Sequence, residues 1–206
     1  MRTLAIDCAT EACSVGLFEA GGLLAGDFRV LGRGHAEQLV PMIAALPERG
    51  RAERILVALG PGSFTGVRVG VAAARALGLA WNVPVLGYAT MSLIAAMARE
   101  AHGNRPLSAV MTGGHGEWFV QSFCADGEAR GAAASMRPED AVVQIPDELL
   151  AGTQAEAFVA LRGYGEAIQV LPDARAAFLL DANALTPDVQ PLYGRAPDAR
   201  LPGAIA

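Results

Sequence analysis

A run of glycine and hydroxyl residues, GPGSFTG at positions 60–66, has the composition of a phosphate-binding loop. The Walker A pattern requires a lysine, which this chain lacks entirely, and the dinucleotide pattern counted from Gly60 requires a glycine where Thr65 stands. Neither phosphate motif matches. We expect a helix-cap loop instead, in which Gly60 and Gly62 shape the turn and the hydroxyls of Ser63 and Thr65 cap the following helix.

A second candidate phosphate site is IDCATEACSVGL, residues 6–17, where a strand ends in Asp7 and a turn carries Ala9 and Thr10. Sugar kinases and actin-like ATPases hold the phosphates of ATP on such a hairpin, with a glycine two positions after the aspartate. Here Ala9 occupies that position, and its methyl group weakens the case. We interpret Asp7, Ala9 and Thr10 as a degenerate phosphate loop. A plain hairpin with hydroxyls in its turn is the alternative.

The other reactive residue types do not form a catalytic set. His35 lies two positions before Glu37, which is compatible with a catalytic pair, but we expect a histidine that caps or supports a turn. There is no nucleophile elbow and no HExxH motif. Three histidines and three cysteines are far apart or lack a metal-binding spacing: His35, His102, His115, Cys8, Cys13 and Cys124. We therefore expect no metal, no cofactor and no catalytic residue.

Composition indicates a globular protein with 206 residues, 52% hydrophobic residues and a net charge of −5. Dispersed arginines on an acidic chain make a poor binding surface for RNA, so any RNA contact would be indirect and would depend on a partner. No apolar run reaches the ~20 residues that a membrane helix requires, and the N-terminus does not resemble a signal peptide. We expect a cytoplasmic protein without a membrane segment.

Apolar patterns predict an α/β fold with two lobes. The first, residues 1–104, has the order βββαβαβα; its strands are predicted at 3–8, 12–19, 23–30, 54–59 and 84–88, and its helices at 35–46, 65–81 and 91–101. A smaller C-terminal lobe, residues 105–206, ends in a proline-rich tail. Within it we predict strands at 107–111, 117–124 and 157–165, and a short helix at 137–145.

Small residues recur at every fourth position of the helix predicted at 65–81: Gly66, Gly70, Ala74 and Gly78. Each glycine in a helix costs about 1 kcal/mol relative to alanine, so such a ridge implies close approach by another element. The partner is either another helix of this chain or, as we expect, a helix of another chain. Val67 and Val71 lie beside this ridge.

The helix predicted at 35–46 has an apolar stripe that suits a second interface helix. We predict that it contributes the following residues to the interface: His35, Leu39, Met42, Ile43 and Leu46.

These segments resemble the TsaB (YeaZ) family, which supports the synthesis of N6-threonylcarbamoyladenosine at position 37 of tRNA. The resemblance is carried by residues 6–17, RGHAEQLVPMI, VALGPGSFTGVRVGVAAARALGLA, GEWFVQSF and PLYGRAPDA. It is close over residues 1–90, and GPGSFTGVRVG is its specific part. The chain departs from the family pattern at Ala9, Ala36, the GGHGE turn and Gly194.

The resemblance implies a two-lobed actin-like (ASKHA) ATPase fold with an abbreviated second lobe. It also implies a non-catalytic scaffold that pairs with a TsaD-like subunit, the transferase, through the helices that begin near His35 and Thr65. A TsaE-like ATPase is implied as a further partner. Two other functions remain open: an actin-like phosphotransferase or glycoprotease, and a homodimer that works without a different partner.

Overall fold

The computed structural model describes residues 1–194, so the part of the predicted tail beyond Gly194 lies outside the described residues. The first half contains five strands and three helices: β1 (Arg2–Asp7), β2 (Ala12–Glu19), β3 (Gly22–Val30), α1 (His35–Ala45), β4 (Arg54–Ala58), α2 (Phe64–Trp81), β5 (Val85–Tyr88) and α3 (Thr90–His102). A 3-10 turn at Pro47–Gly50 follows α1. The predicted order βββαβαβα is confirmed, and the bounds differ from those expected by only one or two residues.

The second half is built from shorter elements: β6 (Leu107–Thr112), β7 (Trp118–Phe123), β8 (Ala134–Met136), α4 (Pro138–Gln144), β9 (Leu149–Ala151), α5 (Ala155–Arg162), β10 (Glu166–Ile168) and β11 (Leu185–Thr186). Two 3-10 helices, Ala174–Leu179 and Ala182–Ala184, precede β11. The GGHGE segment forms the turn between β6 and β7, as Gly113 N–H donates to the carbonyl oxygen of Glu117 at 2.8 Å.

Two sheets organise these elements. The first has the order β11-β5-β4-β1-β2-β3, in which β1, β4 and β5 are parallel and the other pairings are antiparallel. The second has the order β10-β9-β6-β7-β8. Strand β11 therefore returns to the first sheet from beyond the predicted lobe boundary. A division at residues 104 and 105 stays a prediction.

One predicted element is wrong. The sequence predicts a strand with a glycine turn at residues 157–165, but α5 occupies most of that segment. Its apolar residues recur with a helical period, since Ala155 and Phe158 are fully buried on one face, and Arg162 closes the same stripe. Gly163 then ends the helix with φ of 87°, a left-handed conformation that glycine adopts readily.

Residues of β1 illustrate why the first sheet lies inside the molecule. Leu4, Ala5 and Ile6 are all fully buried although consecutive residues of a strand point to opposite faces. Helices α1 and α2 cover one face, and the 3-10 helix Ala174–Leu179 packs against β1, β2 and β3. A parallel strand covered on both faces reads as a continuous apolar run, which is why this segment was recognisable in the sequence.

Candidate functional site

Backbone N–H groups of the hairpin between β1 and β2 donate hydrogen bonds to side chains of the same hairpin. Asp7 Oδ1 accepts a hydrogen bond from Ala9 N at 2.9 Å, and Thr10 Oγ1 accepts one from Ala12 N at 3.2 Å. A phosphate cradle needs backbone N–H groups that are free to point at the anion. Two of the amides of this hairpin are already committed to neighbouring side chains.

The glycine loop that follows β4 packs directly onto this hairpin. Ser63 N donates to the carbonyl oxygen of Ala9 at 2.7 Å. A Cβ atom added to Gly62 would lie 2.0 Å from the same oxygen, and one added to Gly66 would lie 2.0 Å from the carbonyl oxygen of Cys8. The glycines thus allow two backbone segments to touch, and the loop covers the hairpin.

Ser63 is the N-cap of α2, since its Oγ accepts from Gly66 N at 3.2 Å. The prediction that Thr65 also caps the helix is wrong, because α2 begins at Phe64 and Thr65 is already its second residue. Gly60 adopts φ of +94°, which favours glycine, and it turns the chain from β4 into the loop.

The Asp7 carboxyl group is enclosed, with 1% of the residue exposed. Tyr88 donates from its hydroxyl to Asp7 Oδ2 at 3.1 Å. Burial raises the pKa of the Asp7 carboxyl to about 7, and the bonds from Ala9 N and Tyr88 oppose that shift without cancelling it. This arrangement ties the end of β1 to β5.

His35 supports the same hairpin from the first turn of α1. Its Nε2 lies 2.9 Å from the carbonyl oxygen of Thr10 and 3.3 Å from that of Ala12. Both partners only accept hydrogen bonds, so Nε2 carries a proton and donates. Because His35 is buried in the chain's own fold, the prediction that it contacts a partner protein is wrong.

A cleft of about 360 Å³ separates this hairpin from the second sheet. Hydroxyl groups line both walls: Thr10 and Ser63 on one side, Thr112 and Thr153 on the other. Among the residues that the structure describes around this cleft, Glu11 is the one charged side chain. The walls therefore offer hydrogen bonds but no cation for a polyphosphate.

The small-residue ridge of α2 faces the chain's own core, so its prediction as a surface for another protein is wrong. Gly70 lies against Cys8 and Val57, and a Cβ atom on Gly78 would meet Val85 at 2.4 Å. The remaining members of the predicted interface are also buried in this core: Gly66, Val67, Val71, Ala74, Leu39, Met42, Ile43 and Leu46. Close packing was recognised correctly from the sequence, but its partner is the first sheet.

The opposite sides of α1 and α2 are exposed and apolar. We call them the outer face, which comprises Ala36, Val40, Ala44, Ala72, Ala76, Leu79 and Ala80. Val40 is 62% exposed and Leu79 is 86% exposed. Helical spacing places these residues opposite the ridge, and they are not among the predicted interface residues.

The two arginines of α2 turn sideways toward the C-terminal segment. Arg75 Nη2 donates to the carbonyl oxygen of Val189 at 2.7 Å, and Arg68 Nη2 donates to the Tyr193 hydroxyl at 2.9 Å. The Arg68 guanidinium also stacks 3.5 Å from the centre of the Phe64 ring. Both arginines are exposed on the same side of α2 as Ala72 and Leu79, so they border the part of the outer face that α2 contributes.

Comparison with known proteins found a matching family model and several relatives. Residues 29–170 match the family model described as TsaD, tRNA N6-adenosine threonylcarbamoyltransferase. The tRNA threonylcarbamoyladenosine biosynthesis protein TsaB of Escherichia coli (strain K12) is 37% identical over 131 residues, covering 61% of this chain and 56% of that protein. The TsaB protein of Bacillus subtilis (strain 168) is 29% identical over 110 residues, covering 50% and 47%. The matches thus span about half the length of these relatives.

A solved structure covers more of the molecule. YeaZ from Pseudomonas aeruginosa superimposes with a TM-score of 0.79 at 28% sequence identity, and the match covers 93% of this chain and 99% of that one. The two chains share one α/β architecture. Together with the matched family model, these similarities show that the chain belongs to the TsaB (YeaZ) family, within the larger group that the TsaD model describes.

Proposed function

We propose that this chain is a non-catalytic cytoplasmic subunit that pairs with a TsaD-like subunit through the outer face. In that role it supports the transfer of threonylcarbamoyl to N6 of adenosine 37 in tRNA. The observation that carries the proposal is the exposed, largely apolar side of α1 and α2, in a chain whose relatives are named as threonylcarbamoyladenosine biosynthesis proteins.

The chemistry of the outer face favours a protein partner. Burying a leucine side chain of this kind stabilises an association by roughly 1.5 to 3 kcal/mol. The alanines around Leu79 are small enough for another helix to approach closely. In the two helices three side chains carry a full charge. Arg68 and Arg75 bond to the C-terminal segment, and Glu37 is exposed on α1, one turn before Val40.

The hydrogen bonds of the β1–β2 hairpin support a non-catalytic role. Its amides bond to Asp7 and Thr10, and the glycine loop covers its carbonyl groups. The cleft beside it has hydroxyls and one glutamate within the described part of the chain, whereas ATP would require cationic or amide partners for its phosphates.

The partner must provide the contacts with RNA in this proposal, because a net charge of −5 disfavours tRNA binding by this chain alone. A TsaE-like ATPase is the third component that we propose for the assembly.

The test is a binding measurement between this chain and its cognate TsaD-like subunit. Leu79→Asp places a charge in the centre of the outer face, and we expect it to weaken the complex at least about tenfold, as loss of 1.4 kcal/mol would. Val143→Asp is the matched control, since Val143 is 84% exposed on α4, away from both helices. Isothermal titration calorimetry gives both affinities, and light scattering gives the stoichiometry.

Equal binding by Leu79→Asp and the control would contradict the outer face as the interface.

The same light-scattering experiment on the chain alone separates a heterodimer from a homodimer. If Leu79→Asp dissociates only a self-associated form and the TsaD-like subunit never binds, the working form is the homodimer. Binding of ATP by the isolated chain in calorimetry would instead support the phosphotransferase.

A further inference from the structure

Two buried thiol groups meet at the base of the β1–β2 hairpin. The Sγ atoms of Cys8 and Cys13 lie 3.5 Å apart, and 1% and 0% of these residues are exposed. The antiparallel register pairs Asp7 with Ser14, so Cys8 and Cys13 are the next cross-strand positions. Both are free cysteines, and their contact closes a six-residue loop, residues 8–13.

Helix α2 leaves space beside this pair. Gly70 faces Cys8, and a Cβ atom added there would remain 3.6 Å from Cys8 Cβ and 3.8 Å from Cys8 Sγ. Cys8 therefore has the hydrogen atom of Gly70, not a side chain, on this side. A move of about 1.5 Å would bring them to the ~2.05 Å separation of a disulfide bond.

We propose that Cys8 and Cys13 are a modification site at which a hydroperoxide reversibly forms an intramolecular disulfide. This inference is independent of the proposed function, because it depends on the hairpin alone. Both thiols are buried, and a small oxidant would have to enter from the cleft, whose wall includes Ala9 and Thr10, the residues that directly follow Cys8.

The reaction balances in two steps. The Cys13 thiolate attacks one oxygen of hydrogen peroxide; the O–O bond breaks, a sulfenic acid forms, and the released hydroxide takes up the thiol proton to give water. Cys8 sulfur then attacks the sulfenic sulfur, the S–S bond forms, and the departing hydroxide leaves as water with the Cys8 proton. The two sulfurs together lose two electrons, which the peroxide gains.

The environment assigns these roles. The hydrogen bond with Cys8 lowers the pKa of the Cys13 thiol, while the same contact and burial raise the pKa of the Cys8 thiol well above its ordinary value. The thiolate is the nucleophile in such reactions, so Cys13 attacks the oxidant and Cys8 resolves the sulfenic acid.

Oxidation would affect the hairpin contacts at the N-termini of α1 and α2. Carbonyl groups of the hairpin accept from His35, at the start of α1, and from Ser63, the cap of α2. A disulfide across the base of the loop would restrict its motion and so fix the point from which both helices start.

The chain's composition makes the test simple. With no lysine in the sequence, trypsin cleaves only after arginine, and residues 3–29 form one peptide that contains both thiols but not Cys124. The folded protein is treated with hydrogen peroxide, unfolded in guanidinium with iodoacetamide and digested. We expect this peptide to be two hydrogen atoms lighter than the reduced form and without an alkyl group, and dithiothreitol should restore both alkylation sites.

Variants separate the two roles. Cys8→Ser should stop at the sulfenic acid, which dimedone traps on Cys13, whereas the unchanged protein should give little dimedone adduct. Cys124→Ser is the control and should form the disulfide as before. If both cysteines of the wild-type peptide still take up iodoacetamide after peroxide treatment, or if one of them accumulates sulfinic acid without a disulfide, the proposal is wrong.

Discussion

At the scale of single residues, Asp7 shows how a position suited to chemistry is held for structure. One carboxylate oxygen accepts a hydrogen bond from Ala9 N, and the other accepts one from the Tyr88 hydroxyl. Only 1% of the residue is exposed, so the group is closed off from solvent. A carboxylate with two donors ordinarily stays ionised at low pH, but burial outweighs those bonds here and raises its pKa to about 7.

This carboxyl group should give stability a pH dependence. The folded state binds its proton up to about pH 7, whereas the unfolded state releases it near pH 4, so the folded state holds more protons between those values. Stability should therefore fall as the pH rises from about 4 to about 7, by on the order of 4 kcal/mol, and level off above that range.

Replacing the group tests this directly. Asp7→Asn should remove most of that slope in urea unfolding measured across the same pH range, because asparagine does not titrate. Asp188→Asn, at an exposed position, is the control and should keep the wild-type slope. A slope that persists in Asp7→Asn would assign the pH dependence to other groups.

At the scale of elements, α2 has one face that packs against the chain's own core and another that is exposed to solvent. Its inner face consists of residues so small that backbone atoms of β1 and its hairpin lie against the helix. Its outer face is apolar although it faces solvent. An 18-residue helix with only two charged residues needs contacts on both sides, and the sequence shows that need without showing which side the chain itself covers.

The glycines of the inner face should respond differently to the same substitution. Gly66→Ala should lower the free energy of unfolding by roughly 2 to 3 kcal/mol, because the new methyl group would lie 2.0 Å from the Cys8 carbonyl oxygen. Gly70→Ala should be neutral or stabilise by up to about 1 kcal/mol, because its nearest neighbour would be 3.6 Å away and alanine favours the helix. Chemical unfolding of the pair provides the measurement; equal losses would show that the close approach at Gly66 does not limit the size of this residue.

Particular elements show how far the sequence leads. Strands β1 and β4 and helix α2 were predictable because apolar runs and helical periods are local signals. Helix α5 was not, since an eight-residue apolar segment is too short to distinguish a helical from a strand period.

For the candidate site, the glycine spacing indicated close packing on α2, but the group that packs against Gly66, the Cys8 carbonyl, is set by tertiary structure. Likewise, Arg68 and Tyr193 are 125 residues apart, and no local pattern connects them.

At the scale of the whole molecule, the first sheet depends on residues from the end of the described chain. Ala174 N donates to Ser14 Oγ at 2.8 Å, and Leu192 N donates to the Leu59 carbonyl oxygen at 2.7 Å. Between these contacts, β11 pairs with β5, and Val189 is buried in the main core. The second sheet is thus inserted between two parts of the first.

Removing this returning segment should destabilise the sheet that it completes. A chain that ends at Ala184 loses β11, the burial of Val189 and the partners of Arg68 and Arg75. We expect its free energy of unfolding to fall by at least about 2 kcal/mol relative to a chain that ends at Gly194. Urea unfolding followed by circular dichroism compares the two. Identical midpoints would mean that residues 185–194 only lie against a sheet that is stable without them.

The contact between the glycine loop and the β1–β2 hairpin also bears on whether a phosphate site could be introduced there. Ala9→Gly would supply the residue type that a phosphate hairpin uses, yet Ser63 would still bond to the carbonyl group at position 9, and Asp7 would still hold the amide there. Opening the cradle would require the loop at 60–66 to withdraw, together with the helix that it begins. Nucleotide binding at this hairpin would therefore need several coordinated substitutions, because no single change would both free its amides and move the loop.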